Sequence, residues 1–236
     1  MSMQKFQAAI VDLDGTMVDT LGDFEAALNY TLTDLELPPV SRGVVERTVG
    51  KGSEHLIRTV LSLQMALPEA AQSTTHRWPL DDVYQLAWQR YQHHYLFING
   101  QFANVYPGVV EGLQHLKDAG VQLACLTNKP LAFASSLLVA KELDGFFTHI
   151  FGGDSFALKK PDPLPLLKTC EALGVMPAHA LMVGDSSNDA QAARAAGCPV
   201  VLVRHGYNHG QSVDTVDADG HLDDLSQLGA WLASRG

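Results

Sequence analysis

Two aspartates separated by one residue, Asp12 and Asp14, follow the apolar run "AAIV" in the stretch "AAIVDLDGTMVDT" at residues 8–20. Carboxylates so placed can act as nucleophiles, acids, bases or metal ligands, but each raises the cost of ionising the other. At an effective dielectric of about 20, two carboxylates about 5 Å apart repel by about 3 kcal/mol. If the chain is still extended there, alternate side chains point the same way, and Gly15 permits a turn with close backbone approach to a ligand. A solvated strand-to-loop turn is the plain alternative. A calcium loop is not, because Met17 stands where that loop requires glycine.

A second acidic pair, Asp185 and Asp189 in "GDSSND", closes another apolar run. If both runs are strands of one sheet, the acids gather at one edge and require compensation. A hard divalent cation supplies it, and Mg2+ suits a site of a few carboxylates, waters and a substrate phosphate. Other run ends complement the acids. "LTNK" offers the Thr127 hydroxyl and the Asn128 amide before a helix N-terminus, a setting that favours anions. "LKKPDP" offers Lys159 and Lys160. Taken singly, a Thr-Asn pair reads as a cap and a lysine pair as surface. Together with the acids they fit phosphoryl transfer, where positioning and charge stabilisation dominate.

The elements that must position these residues are legible as alternation. Five apolar runs, at 8–14, 121–129, 149–154, 180–189 and 199–206, end in polar residues, and "LMV" and "VVLV" lack the polar alternation of a half-exposed strand. Helical patterns separate them at 108–120, 130–143, 162–174 and 188–197, three of them closing on glycine. Strand–helix alternation predicts a doubly wound parallel α/β sheet with a Rossmann-like core, in which ligands bind beyond the carboxyl ends of the strands. Residues 18–100 read differently. Leu21, Phe24, Leu28, Leu32 and Leu35 repeat at helical spacing, "EHLIRTVLSL" and "DDVYQLAWQRYQHHYL" also read as helices, and "ALPEAAQSTTHRWPL" between them reads as a loop. The expected organisation is a catalytic core of residues 1–17 and 101–236, with a helical cap of residues 18–100 inserted after the first strand.

The composition narrows the partners. A net charge of −10 over 236 residues argues against nucleic acid or anionic membrane, and no apolar run has the length of a membrane span. Cys125, Cys170 and Cys198 lack CxxC spacing and read as reduced, structural thiols in a cytoplasmic protein, monomer or homodimer. His93, His94, His205 and His209 lack the arrangement of a zinc site and read as surface or structural groups.

"DLDGT", "LTN", "KKPDP" and "GDSSND", in this order, resemble the four motifs of the haloacid dehalogenase superfamily of phosphatases. The resemblance implies that Asp12 attacks phosphorus to form an aspartyl-phosphate and that Asp14 serves as acid and then base. It implies Mg2+ held by the Asp12 carboxylate, the Asp14 carbonyl and Asp185, with Asp189 nearby, and phosphoryl oxygens held by Thr127, Asn128 and Lys160, the lysine before proline. Asp14 argues against the dehalogenase branch. "RTVGKGSEHLI" and "RHGYNHG" resemble the phosphoglycolate phosphatase branch, with Gly50, Lys51 and Gly52 as a cap loop over the substrate and Lys51 a candidate carboxylate partner or an exposed turn lysine. Gly22 and Asp162 depart from that branch, which commonly has proline and histidine there. The expected function is a Mg2+-dependent phosphomonoesterase for a small phosphorylated metabolite, 2-phosphoglycolate first. A phosphosugar mutase and a non-catalytic binding protein on the same fold are the alternatives.

Overall fold

The computed structural model describes residues 6–234. Strand β1 (Ala8–Val11) is wholly buried, and a two-residue strand β2 (Val18–Asp19) follows the turn after it. Four helices come next, α1 (Leu21–Asp34), α2 (Arg42–Thr48), α3 (Ser53–Met65) and α4 (Leu80–Ile98). The chain then returns through β3 (Asn104–Val105), which pairs antiparallel with β2, Val18 opposite Val105 and Asp19 opposite Asn104. The outgoing and returning segments of the helical insertion therefore run side by side.

The remaining elements alternate as far as β7: α5 (Val109–Asp118), β4 (Gln122–Leu126), α6 (Leu131–Ala140), β5 (His149–Phe151), α7 (Leu164–Leu173), β6 (Ala180–Gly184), α8 (Ser187–Ala196) and β7 (Val200–Val203), followed by β8 (Gly220–Leu222) and α9 (Leu228–Ala233). Six strands form one parallel sheet in the order β5-β4-β1-β6-β7-β8. The order reverses direction at β1, so the crevice between the ends of β1 and β6 is the topological switch point, where such sheets bind ligands. Those are the strands that lead into Asp12 and Asp185.

Successive side chains of a strand point to opposite faces, and this sheet buries both. Ala9 and Val11 of β1, with Leu181 and Val183 of β6, join the apolar cluster that includes Val109, Leu113 and Leu137 from α5 and α6. Ala8, Ile10, Ala180 and Met182 join the opposite cluster with Leu166, Cys170 and Ala193 from α7 and α8. The insertion has its own cluster, in which Leu21, Phe24, Leu28, Leu32 and Leu35 meet Leu56, Ile57 and Val60 of α3 and Tyr91 and Tyr95 of α4. The segment expected to be a loop between α3 and α4 contains two short 3-10 helices, Pro68–Gln72 and Thr75–Arg77. The Ser73 and Thr75 hydroxyls tie it down by donating to the Leu35 carbonyl at 2.9 and 2.7 Å. All three cysteines are buried and free.

Candidate active site

Asp12 continues the sheet for one more residue, since its N–H donates to the Val183 carbonyl of β6 at 2.9 Å. The chain then turns, with Met17 and Val18 both donating to the Leu13 carbonyl and Gly15 donating to Val18 at 2.9 Å. The turn needs glycine twice over: Gly15 has a φ of +84°, and a Cβ there would overlap the Asp185 carboxylate. Asp185 follows β6 directly. Its oxygens accept from the Thr16 hydroxyl at 2.9 Å and the Tyr207 N–H at 2.6 Å, so the turn and the loop after β7 both fix it. Asp189 lies in the first turn of α8 in a reciprocal capping box with Ser186, whose hydroxyl donates to it at 2.8 Å.

Asp12, Asp185 and Asp189 are all buried and each offers an oxygen within 4.8 Å of the others. Lys160 reaches into this cluster from the loop before α7. Its ammonium lies 3.0 Å from Asp12 and 2.7 Å from Asp189, and donates to the Leu126 carbonyl at 2.9 Å. With those partners its three hydrogens are used. Burial works against the lysine's charge, but Asp12 and Asp189 more than offset it, and its pKa is held above the ordinary lysine range. Burial, opposed by Lys160 and reinforced by Asp189, pushes Asp12 up to about 7. Burial, then Asp189 and Asp12, pushes Asp185 well above the usual carboxylate range.

The Asp14 carboxylate stands apart from that cluster and pairs with Lys129 at 3.0 Å. Counting both pairs, four carboxylates face two ammonium groups, which leaves two negative charges. An all-oxygen donor set with that deficit fits a hard divalent cation. Histidines and the buried cysteines do not enter it: among the described residues the cluster contains aspartates alone. His205 is held by the Thr16 and Asp223 carbonyls, both at 3.2 Å, and His94 pairs with Asp34 at 2.8 Å.

A cavity of about 30 Å³ opens beside the acids. Asp12, Asp14, Thr127, Asn128 and Lys129 line it from the core, and Phe24, Val49, Gly50, Gly52, Ser53 and Leu56 line it from the insertion. Thr127, just past β4, lines this cavity, and its hydroxyl accepts from Lys129 N–H at 3.2 Å. Asn128 lines it too, but its amide is engaged: Nδ2 donates to Gly50 O at 3.1 Å and Lys160 O at 2.8 Å, while Oδ1 accepts from Lys160 N–H at 3.0 Å. The side chain thus fixes Lys160 and the insertion loop, and its hydrogens are taken in this arrangement. Gly50 and Gly52 have φ of +106° and +90° and border the cavity, whereas Lys51 between them is exposed and does not line it. Gly50 O also accepts from Asn188 of α8 at 3.2 Å.

Lys129 is the residue that sequence reasoning passed over. It sits in the same "LTNK" stretch, and the signal was a lysine at the buried end of an apolar strand, directly before Pro130 at the N-cap of α6. Its ammonium donates to Asp14 at 3.0 Å and to the Tyr95 hydroxyl at 2.6 Å.

A parallel α/β sheet that gathers buried aspartates and a lysine at its switch point defines the class to which the comparisons assign the chain. The protein belongs to the haloacid dehalogenase-like hydrolase family, whose model matches residues 9–203. It is 39% identical over 222 residues to a phosphoglycolate phosphatase of Thiobacillus denitrificans, covering 94% of this chain and 93% of that one. It is 34% identical over 235 residues to a phosphoglycolate phosphatase of Escherichia coli, covering 96% and 93%. A crystal structure described as a predicted phosphoglycolate phosphatase from Haemophilus somnus superposes with a TM-score of 0.89 at 32% identity, covering 96% of this chain and 98% of that chain. No helix among the described residues is long and apolar enough to cross a membrane.

Proposed function

We propose that the protein is a Mg2+-dependent phosphatase that hydrolyses a small carboxylated phosphomonoester, 2-phosphoglycolate first, through an aspartyl-phosphate on Asp12. The observation that carries this reading is the buried group of Asp12, Asp185 and Asp189 with Lys160 at 3.0 Å from Asp12, bordering a cavity lined by Asp12, Asp14 and Thr127. The names of the relatives at 34 and 39% identity support the substrate.

The Asp12 and Asp185 carboxylates, with the Asp14 carbonyl, would hold Mg2+, which supplies charge stabilisation to phosphoryl oxygens and lets the acids stay ionised. Asp189 has its oxygens engaged by Lys160 and the Ser186 cap, so its part is to hold Lys160 and the metal-side acids in place. Asp12 attacks phosphorus in line with the leaving alkoxide. Asp14 protonates that leaving oxygen and then removes a proton from the water that cleaves the acyl phosphate. Thr127 O–H and the Asn128 backbone N–H bind the equatorial oxygens, and Lys160, the lysine the resemblance assigns to the phosphoryl group, offsets their charge from the Asp12 side. The cap of residues 18–100 closes the site against water, and with a cavity of about 30 Å³ it must move aside to admit an ester.

A phosphate-release screen over small phosphoesters, with and without Mg2+, tests the reading. The expected result is Mg2+-dependent release with 2-phosphoglycolate ranked first by kcat/KM. Isomerisation of phosphosugars without release would move the protein to the mutases. No activity across the panel would make it a binding protein.

A further inference from the structure

Among the described residues that line the cavity there is one cation, Lys129. Lys160 turns its ammonium to Asp12, Asp189 and Leu126 O, and Lys51 is exposed outside the cavity. Lys129 has a side chain only 2% exposed. Its ammonium is held between Asp14 of the core and Tyr95 of α4, 4.5 Å from the centroid of the Phe24 ring and 4.8 Å from that of Tyr95. A desolvated ammonium facing aromatic rings with one carboxylate partner is not a stabilising arrangement in itself, because the desolvation cost rivals the attraction. What it does achieve is position. Rings from two insertion helices hold a charged donor against Asp14, the group that on the reading above touches the leaving-group oxygen.

We propose that Lys129 is a specificity-determining residue, which binds a carboxylate carried by the leaving group of the substrate. The proposal rests on the phosphatase reading and deepens it. The phosphoryl group faces Asp12, Thr127 and the metal-side acids, so whatever lies beyond the ester oxygen lies on the Asp14 side. Lys129 is one hydrogen bond farther along that line. In 2-phosphoglycolate one methylene separates the ester oxygen from the carboxylate, a span matched to an ammonium that is adjacent to Asp14. Two of the ammonium hydrogens go to Asp14 and Tyr95, and an ammonium has three. An incoming carboxylate takes the third and offsets the repulsion it would meet from Asp12 and Asp14. An ester lacking the acid leaves the buried ammonium without that partner, which is how a polar site rejects an analogue.

The test compares 2-phosphoglycolate with 2-hydroxyethyl phosphate, in which a neutral CH2OH replaces the carboxylate, using the Mg2+-loaded full chain. Lys129→Met is expected to lower kcat/KM for the acid ester by about ten- to a hundredfold more than for the neutral one, the scale of a lost charge-assisted hydrogen bond. Glycolate should also become a weaker competitive inhibitor of neutral-ester hydrolysis, with inhibition by inorganic phosphate unchanged. Lys51→Met is expected to leave the ratio of the two esters where it was. If Lys129→Met does not fold, Lys129→Gln keeps a donor for Asp14 and Tyr95 and carries the same expectation. A role confined to holding Asp14 or the fold would depress both esters equally, and an unchanged ratio in either variant overturns the proposal. So does a collapse of the ratio in Lys51→Met. Failure of the wild type to hydrolyse either ester overturns instead the phosphatase reading beneath it.

Discussion

Asp12 and Asp14 differ in surroundings as much as in proposed role. Asp12 has Lys160 at 3.0 Å inside an acidic cluster, while Asp14 has Lys129 at 3.0 Å at the cavity wall. If Asp12 is the nucleophile, Asp12→Asn reduces turnover to background, because an amide cannot form the acyl phosphate. Asp14→Asn lowers kcat by about 10²- to 10⁴-fold, the contribution of a positioned acid–base group, yet leaves Mg2+ affinity within a few fold, since its backbone carbonyl is unaltered. Steady-state kinetics alongside metal titration by calorimetry checks both. Near-wild-type turnover by Asp12→Asn, in protein free of contaminating phosphatase, would remove the covalent mechanism. At this scale the acids were legible in the sequence because they end apolar runs, and Lys160 because it is the lysine before proline in "KKPDP". Lys129 closes the run at 121–129 but was passed over, because its burial depends on Phe24 and Tyr95, which lie 105 and 34 positions away. The engagement of the Asn128 amide was equally hidden, since Gly50 and Lys160 become its neighbours only in the folded chain.

The elements came through where burial is two-sided. "AAIV", "LMV" and "VVLV" carry no polar alternation because helices cover both faces of the sheet. Strand β8, Gly220–Leu222, escaped because it is a three-residue edge strand with one buried side chain. The β2–β3 ribbon has too few residues for any period, and α2 is a seven-residue helix with just two buried residues. The ribbon nonetheless matters, because it flanks the insertion that reaches over the site. One contact between insertion and core converges on a single carbonyl: Gly50 O accepts from Asn128 after β4 and from Asn188 of α8. Removing one donor weakens that contact without touching the acids. Asn188→Ala is therefore expected to raise KM for the preferred ester about three- to tenfold, the value of about one hydrogen bond, with kcat changed less than twofold. A fall in kcat with KM unmoved would mean that Asn188 acts on the acids of α8 instead.

For the molecule as a whole, the acidic cluster sets function against stability. Burial raises Asp12 to about 7 and raises Asp185 as well, so without metal the folded protein binds protons that the unfolded chain releases near pH 4. For a carboxyl raised on folding, the stabilising contribution is fully present below the unfolded pKa and is lost as pH rises through the folded one. The cluster therefore destabilises the metal-free protein progressively between about pH 4 and pH 7. Asp12→Asn mimics the protonated form at every pH. In excess chelator the variant is expected to melt close to wild type at pH 4.5 and above it at pH 7.5, by several degrees for a protein of 236 residues. Comparing the two proteins cancels the surface carboxylates that titrate in both, such as Asp223 beside Arg204. Saturating Mg2+ should reverse the order at pH 7.5, because the cation binds the ionised wild-type cluster and stabilises the state it binds. Thermal melts at the two pH values, each with chelator and with Mg2+, give the answer. A variant that melts below wild type in chelator at pH 7.5 would mean that the Asp12–Lys160 ion pair outweighs the burial of the acid, and that the cluster is stable without a cation.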